Sequence, residues 1–111
     1  MQSEDQELEP FQRISADEAK RLIDDGKVRL VDVREPAEWE RDHLANATLI
    51  PLAKLLQQPG SVGADNVVFY CEVGQRSAVA CEFAASMGLE NVYNLEGGMT
   101  AWRQRGFPVE K

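Results

Sequence analysis

The chain predicts an α/β fold with a largely parallel sheet, and three observations carry that expectation. Short apolar runs rich in β-branched residues alternate with stretches of helical spacing from Ile14 to Gln104. Gly or Pro punctuates most of the boundaries between them. There is no internal repeat and no low-complexity linker. Strands that alternate with helices pair in parallel, and right-handed crossovers then put helices on both faces of the sheet.

The ordered part is expected to open at Ile14-Ser15. Ser15 and Glu18 have the spacing of a capping box, Ile14 and Ala19 that of a hydrophobic staple, and Ala19, Leu22 and Ile23 share one helical face. Gly26 ends this helix. Val28 to Val33 reads as a strand covered on both faces, and Glu35-Pro36 opens a short helix through Trp39, with Pro36 at its first position. Ala47 to Ile50 is a second short strand, stopped by Pro51. Leu52, Leu55 and Leu56 suit a short amphipathic helix that the Pro59-Gly60 turn closes. Val67 to Tyr70 is the third strand. After a loop, Ala78 to Met87 has helical spacing, with Val79, Ala80, Phe83, Ala84 and Met87 as its apolar stripe and Gly88 as its end. Val92 to Leu95 is the fourth strand, and Gly97-Gly98 turns the chain into a last helix over Met99 to Gln104.

At 111 residues and 43% hydrophobic, the chain is sized for one core. A net charge of -7 argues against nucleic acid and against an anionic membrane surface, both of which need a basic patch. No apolar stretch is long enough to span a bilayer, and the N-terminus lacks the features of a signal peptide, so a reducing cytoplasm is the expected compartment. Two cysteines, Cys71 and Cys81, and the single histidine His43 make no metal-binding spacing, and no cofactor is called for. Met1 to Glu9 carries four acids and no base, the composition of a solvated tail. Residues 1–12 are therefore read as an acidic, poorly ordered N-terminal tail and 13–111 as the domain.

The chemistry is expected at CEVGQRS, Cys71 to Ser77. In open parallel sheets ligands collect at the carboxyl ends of strands, where loops run into helix N-termini. Gly74 permits the torsions of a loop whose backbone N–H groups face one point, and the helix dipole adds to that positive potential. A cysteine in such a cradle is more acidic than a free thiol, and Arg76 adds a fixed positive charge. Cys71 is then the candidate nucleophile, at the head of a loop, Glu72, Val73, Gly74, Gln75, Arg76 and Ser77, whose backbone N–H groups suit an anion. The competing reading is core filling, since cysteine is among the most buried residue types and a Cys-x4-Arg spacing alone occurs by chance.

These residues also carry a resemblance. CEVGQRS resembles the active-site loop of rhodanese-fold sulfurtransferases, and LVDVRE (Leu30 to Glu35), WERDHLANATLIPL (Trp39 to Leu52) and NLEGGMTAWRQRGFPV (Asn94 to Val109) agree with it in the same order. The resemblance covers Ile14 to Val109. It implies a rhodanese-like three-layer fold with about five strands, mostly parallel. It also implies a Cys71 persulfide that takes sulfane sulfur from a donor such as thiosulfate and passes it to a thiol or cyanide acceptor. A protein persulfide or a thioredoxin-like protein is a further partner it allows. Related cell-cycle phosphatases space their Cys and Arg one position further apart, so the shorter loop here favours sulfur, with phosphatase activity as the weaker alternative. A non-enzymatic persulfide carrier or docking module is the other alternative.

Two departures from the family pattern matter. Where relatives commonly show Gly-His-Ile-Pro-Gly-Ala, this chain has Asp42-His43-Leu44-Ala45-Asn46-Ala47, and Asn46 is expected to take the positive φ of the replaced Gly. Glu72 offsets Arg76, which makes the loop formally neutral and less inviting to a doubly charged donor. Cys81 reads as a small, partly buried helix residue to one side of the Val79, Phe83, Met87 stripe, not as a resolving thiol. Asp32 and Arg34 read as structural residues that pair with neighbouring loops, His43 as a hydrogen-bonding group, and Trp39, Tyr93 and Trp102 as packing residues.

Overall fold

In the computed structural model, which describes residues 9–111, the run Val67–Tyr70 (β4) is buried along its whole length. Its side chains alternate between two cores, as pleating requires. Val67 and Phe69 pack with Val31, Val33, Leu55, Ala80, Cys81 and Ala84, while Val68 and Tyr70 pack with Ala19, Leu30, Leu44, Leu95, Met99 and Trp102. A strand covered on both faces needs helices on both, and the expected three layers follow.

The remaining elements are β1 (Gln12–Ile14), α1 (Ala16–Asp24), β2 (Arg29–Asp32), α2 (Pro36–Arg41), β3 (Thr48–Leu49), α3 (Leu52–Gln57), a 3-10 turn (Pro59–Ser61), α4 (Gln75–Ser86), β5 (Val92–Leu95) and α5 (Gly98–Gln104). The five strands form one sheet in the order β1-β5-β4-β2-β3, and every pair is parallel. Helices α1 and α5 lie on the Tyr70 face and α3 and α4 on the Phe69 face. No described helix is long and apolar enough to cross a membrane.

Local chemistry sets several boundaries as expected. The Ser15 hydroxyl accepts the Glu18 N–H at 3.1 Å, and the Glu18 carboxylate accepts the Ser15 N–H. Asn46 adopts φ 65°, as its place in the family's glycine position predicts. His43 is tied by its Nδ1 to the Trp39 carbonyl at 2.8 Å and stacks on the Trp39 ring at 3.7 Å, the structural use expected of it.

Three expectations need correction. A fifth strand, β1, precedes the capping box, and Phe11 before it is buried in the Phe69-side core. The ordered chain therefore starts before residue 13. Three residues are too few to show strand periodicity, and it is the edge pairing with β5 that defines them. Met1 to Leu8, which make up most of the tail, lie outside the described residues. Helix α4 starts at Gln75, not Ala78, because Gly74 at φ 103° caps it directly after the loop. The face that α4 buries is Ser77, Ala80, Cys81 and Ala84, whereas Val79 and Met87 are exposed. Cys81 thus sits in the centre of the buried face, not to one side. The small residues let α4 lie close to the sheet, and larger ones on the outer face mimicked an apolar stripe.

Candidate active site

Cys71 follows β4 at the carboxyl end of the sheet and is 1% exposed. The chain must reverse there to enter α4, and Gly74 makes the reversal possible. This turn folds the next N–H groups back over the sulfur. The Gly74 N–H donates to Cys71 Sγ at 3.1 Å and the Ser77 N–H at 3.4 Å, and the Ser77 hydroxyl lies 3.4 Å from it. Burial opposes ionisation of the thiol. Hydrogen bonds from the Ser77 hydroxyl and from the N–H groups of Ser77, Gly74 and Val73 outweigh it and hold the pKa of Cys71 below the ordinary thiol value. The Cys81 thiol shows the contrast. Also buried, it donates to the Tyr93 carbonyl at 3.3 Å, and desolvation pushes its pKa up.

The loop is clamped from behind by α5. The Met99 N–H donates to the Cys71 carbonyl at 2.9 Å and the Thr100 N–H to the Glu72 carbonyl at 3.0 Å. In a trans peptide the N–H points opposite to the C=O, so the Glu72 and Val73 N–H groups face away from α5. The Gln75 and Arg76 N–H groups belong to the first turn of α4 and have no intrahelical acceptor. The outcome is a cluster of donors with Cys71 Sγ at its base. Gly98 makes the clamp possible. A Cβ there would overlap the Cys71 carbonyl oxygen and come within 2.7 Å of the Glu72 carbonyl carbon, at a φ of 53°. Gly98→Ala is therefore expected to displace loop backbone, at a cost of about 1–3 kcal/mol in urea unfolding. It should also raise the pH at which Cys71 becomes reactive, because the N–H groups shift with the loop. An unchanged reactivity profile would show that the loop does not depend on this contact.

Behind Ser77 stands Asn94, on β5 and fully buried. Its amide nitrogen donates to the Gly74 carbonyl at 3.2 Å and to Glu96 Oε2 at 2.9 Å, which leaves Oδ1 2.5 Å from the Ser77 hydroxyl. That hydroxyl has one proton, which goes to Oδ1 or to Cys71 Sγ but not to both at once. Asn94 thereby fixes both the loop and the hydroxyl beside the sulfur. The sequence reading included it only inside a matching segment. A polar residue at a buried strand position was the available signal.

The charges are paired differently from the sequence expectation. Glu72 does not offset Arg76. Its carboxylate accepts from Arg103 at 2.6 Å, from Thr100 at 3.2 Å and from Arg34 at 3.4 Å. Arg103 and Thr100, assisted by Arg34, hold the Glu72 carboxyl below its usual range against a smaller opposing effect of burial. Arg76 instead meets Glu38, on α2, at 2.8 and 2.9 Å. Asp32 and Arg34, expected to pair with neighbouring loops, pair first with each other. Arg34 is fully buried, with its guanidinium on Asp32 at 2.8 Å and on the Asp42 carbonyl at 2.7 Å. Of the loop residues named from sequence, Cys71, Gly74 and Ser77 gather at the sulfur, Val73 and Gln75 are exposed, and Glu72 and Arg76 turn outward into ion pairs. Glu38 and Arg103 were missed as partners of the loop, and Asp42 as the second partner of Arg103.

A family model described as a Rhodanese-like domain matches residues 15–105. The chain belongs to the rhodanese-like domain family. A protein of Allochromatium vinosum named sulfurtransferase is 36% identical over 82% of this chain and 86% of its own length. An uncharacterized protein of Synechocystis is 42% identical over 76% of this chain, which spans only 48% of that longer relative. The crystal structure of a rhodanese-related protein from Thermoplasma volcanium superimposes with a TM-score of 0.82 at 33% identity, over 89% of this chain and 97% of that one. The fold described above, a five-stranded parallel sheet with helices on both faces, is thus the rhodanese-like one.

Proposed function

We propose that this rhodanese-like domain transfers sulfane sulfur through a persulfide on Cys71. The observation that carries the proposal is the thiol held below its ordinary pKa at the base of a cluster of backbone N–H groups. In the first half-reaction the Cys71 thiolate attacks the outer sulfur of a donor such as thiosulfate. A Cys–S–S⁻ bond forms, the donor S–S bond breaks, and sulfite leaves with the electron pair. In the second, a thiolate or cyanide attacks the terminal sulfur, carries it off as a persulfide or thiocyanate, and returns Cys71 as thiolate. The charge held by the protein sits on Cys71 Sγ or on the outer sulfur it carries, and preorganised N–H donors are suited to stabilise it. The name of the Allochromatium relative supports the same reading.

Intact mass tests it. Exposure to a sulfane donor, thiosulfate among them, should add one sulfur atom, and cyanide should then remove it. Failure to gain sulfur from any donor, combined with hydrolysis of an aryl phosphate, would turn the assignment to phosphatase chemistry.

The pH dependence follows from the same contacts. Ser77→Ala removes the hydroxyl beside Cys71 Sγ but leaves the Ser77 N–H. It should move the pH midpoint of Cys71 alkylation upward, because a contact that favours the thiolate is lost while the burial that opposes it remains. Rates of iodoacetamide labelling against pH give the midpoint, and a midpoint that falls or stays put contradicts the assignment.

A further inference from the structure

The cation nearest in sequence to the nucleophile is already engaged. Arg76, in the first turn of α4, meets both carboxylate oxygens of Glu38, at 2.8 and 2.9 Å. Glu38 is itself held in place, because Oε1 also accepts the Glu35 N–H at 3.0 Å as part of the α2 capping box. The pair is half-sheltered, with side-chain exposures of 37% for Arg76 and 19% for Glu38. A two-point contact of this kind uses an edge of N–H groups by which a guanidinium grips an oxyanion. The other charge in the loop, on Glu72, is compensated separately by Arg103 and Arg34. An incoming anion therefore meets backbone N–H groups and a neutralised Arg76.

Donors differ in what they ask of such a site. Thiosulfate is a dianion and gains most from a free guanidinium. A persulfide, R–S–S⁻, carries one charge and is served by N–H groups alone. We infer that Glu38 selects the sulfur donor by charge, holding Arg76 in a bidentate pair so that the site favours monoanionic persulfide-type donors over dianionic thiosulfate. This rests on the persulfide reading of Cys71 and acts through Arg76, without contact between Glu38 and the donor. The transfer balances without any further reagent: the thiolate attacks the outer sulfur of R–S–S⁻, the S–S bond of the donor breaks, RS⁻ leaves, and Cys71 holds the persulfide.

Glu38→Gln keeps the shape of the side chain and an oxygen for the Glu35 N–H while removing the charge. Its effect should scale with donor charge, since the energy of a charge in a fixed potential is proportional to that charge. KM should fall about fivefold for thiosulfate and about twofold for benzenethiosulfonate, a monoanionic sulfane donor, the size expected for releasing a partly exposed ion pair. A purely structural role for Glu38 would move both values alike and would change kcat with them. Equal shifts, or none, overturn the inference while the sulfur gain by mass still stands. Absence of sulfur gain in the unmodified protein overturns the persulfide reading itself. A second measurement needs no variant: kcat/KM for thiosulfate in the unmodified protein should stay flat or rise as salt is added. A steep fall, the mark of an unpaired cation drawing in a dianion, contradicts the neutralised Arg76.

Discussion

Cys71→Ser should abolish sulfur gain from every donor and lower turnover by about four orders of magnitude or more, the scale on which loss of an enzyme nucleophile is felt. The hydroxyl fits the same space and meets the same Gly74 and Ser77 N–H groups. It is not ionised near neutral pH, however, and its oxygen forms no stable analogue of a persulfide. Because the change is nearly isosteric, the unfolding midpoint should move little, and lost activity cannot then be blamed on a lost fold. Cys81→Ala is the companion measurement. Its thiol is fully buried against the Tyr93 carbonyl, and burial raises its pKa, so sulfur gain should persist in that variant. Sulfur retained in Cys71→Ser and absent in Cys81→Ala would exchange the two assignments. A partner that binds Cys71→Ser normally, beside an unmodified protein with no turnover, would identify a carrier or docking module.

Regular local signals made most of the frame legible before any coordinates. The capping box at Ser15, Pro36 at the head of α2, and the Gly97-Gly98 turn each act within a few residues, and each appears where the sequence placed it. The loop around Cys71 was legible for a similar reason, since a strand, a glycine and a helix start in immediate succession determine where the N–H groups point. What sequence did not show was pairing across the fold. Arg76 and Glu72 stand four positions apart and read as an opposed pair, yet their carboxylate and guanidinium partners come from α2 and α5. Charged side chains choose partners by the approach of whole elements, which no local period encodes. The α4 stripe failed for another reason. Close packing against the sheet selected Ser, Ala and Cys for the inner face, so hydrophobicity alone pointed outward, to Val79 and Met87.

Arg34→Met should cost about 3–5 kcal/mol of stability, because it strands a buried carboxylate. Asp32 is fully buried and accepts from Arg34 at its backbone N–H, 2.9 Å, and at Nε and Nη2, 3.0 and 2.8 Å. Only the first of these survives the change. The Asp42 carbonyl loses its 2.7 Å donor at the same time, and Glu72 loses one of its three partners, so the α2 exit and the Cys71 loop loosen together. Urea unfolding gives the loss, and the doubly substituted Asp32→Asn/Arg34→Met separates its causes. If the uncompensated charge dominates, the double variant recovers much of the stability, since neutral Asn in the same place carries no charge to desolvate. If the Asp42 and Glu72 contacts dominate, it recovers little. A loss below about 1 kcal/mol in the single variant would mean that water reaches Asp32, against the complete burial seen here. Activity gives a separate readout of the same network. Glu72 keeps Arg103 and Thr100 in the single variant, and its carbonyl keeps the Thr100 N–H, so the sulfur cradle should survive in the folded fraction. Arg34 therefore belongs with the scaffold that holds the loop, and its loss should lower stability far more than it lowers turnover per folded molecule.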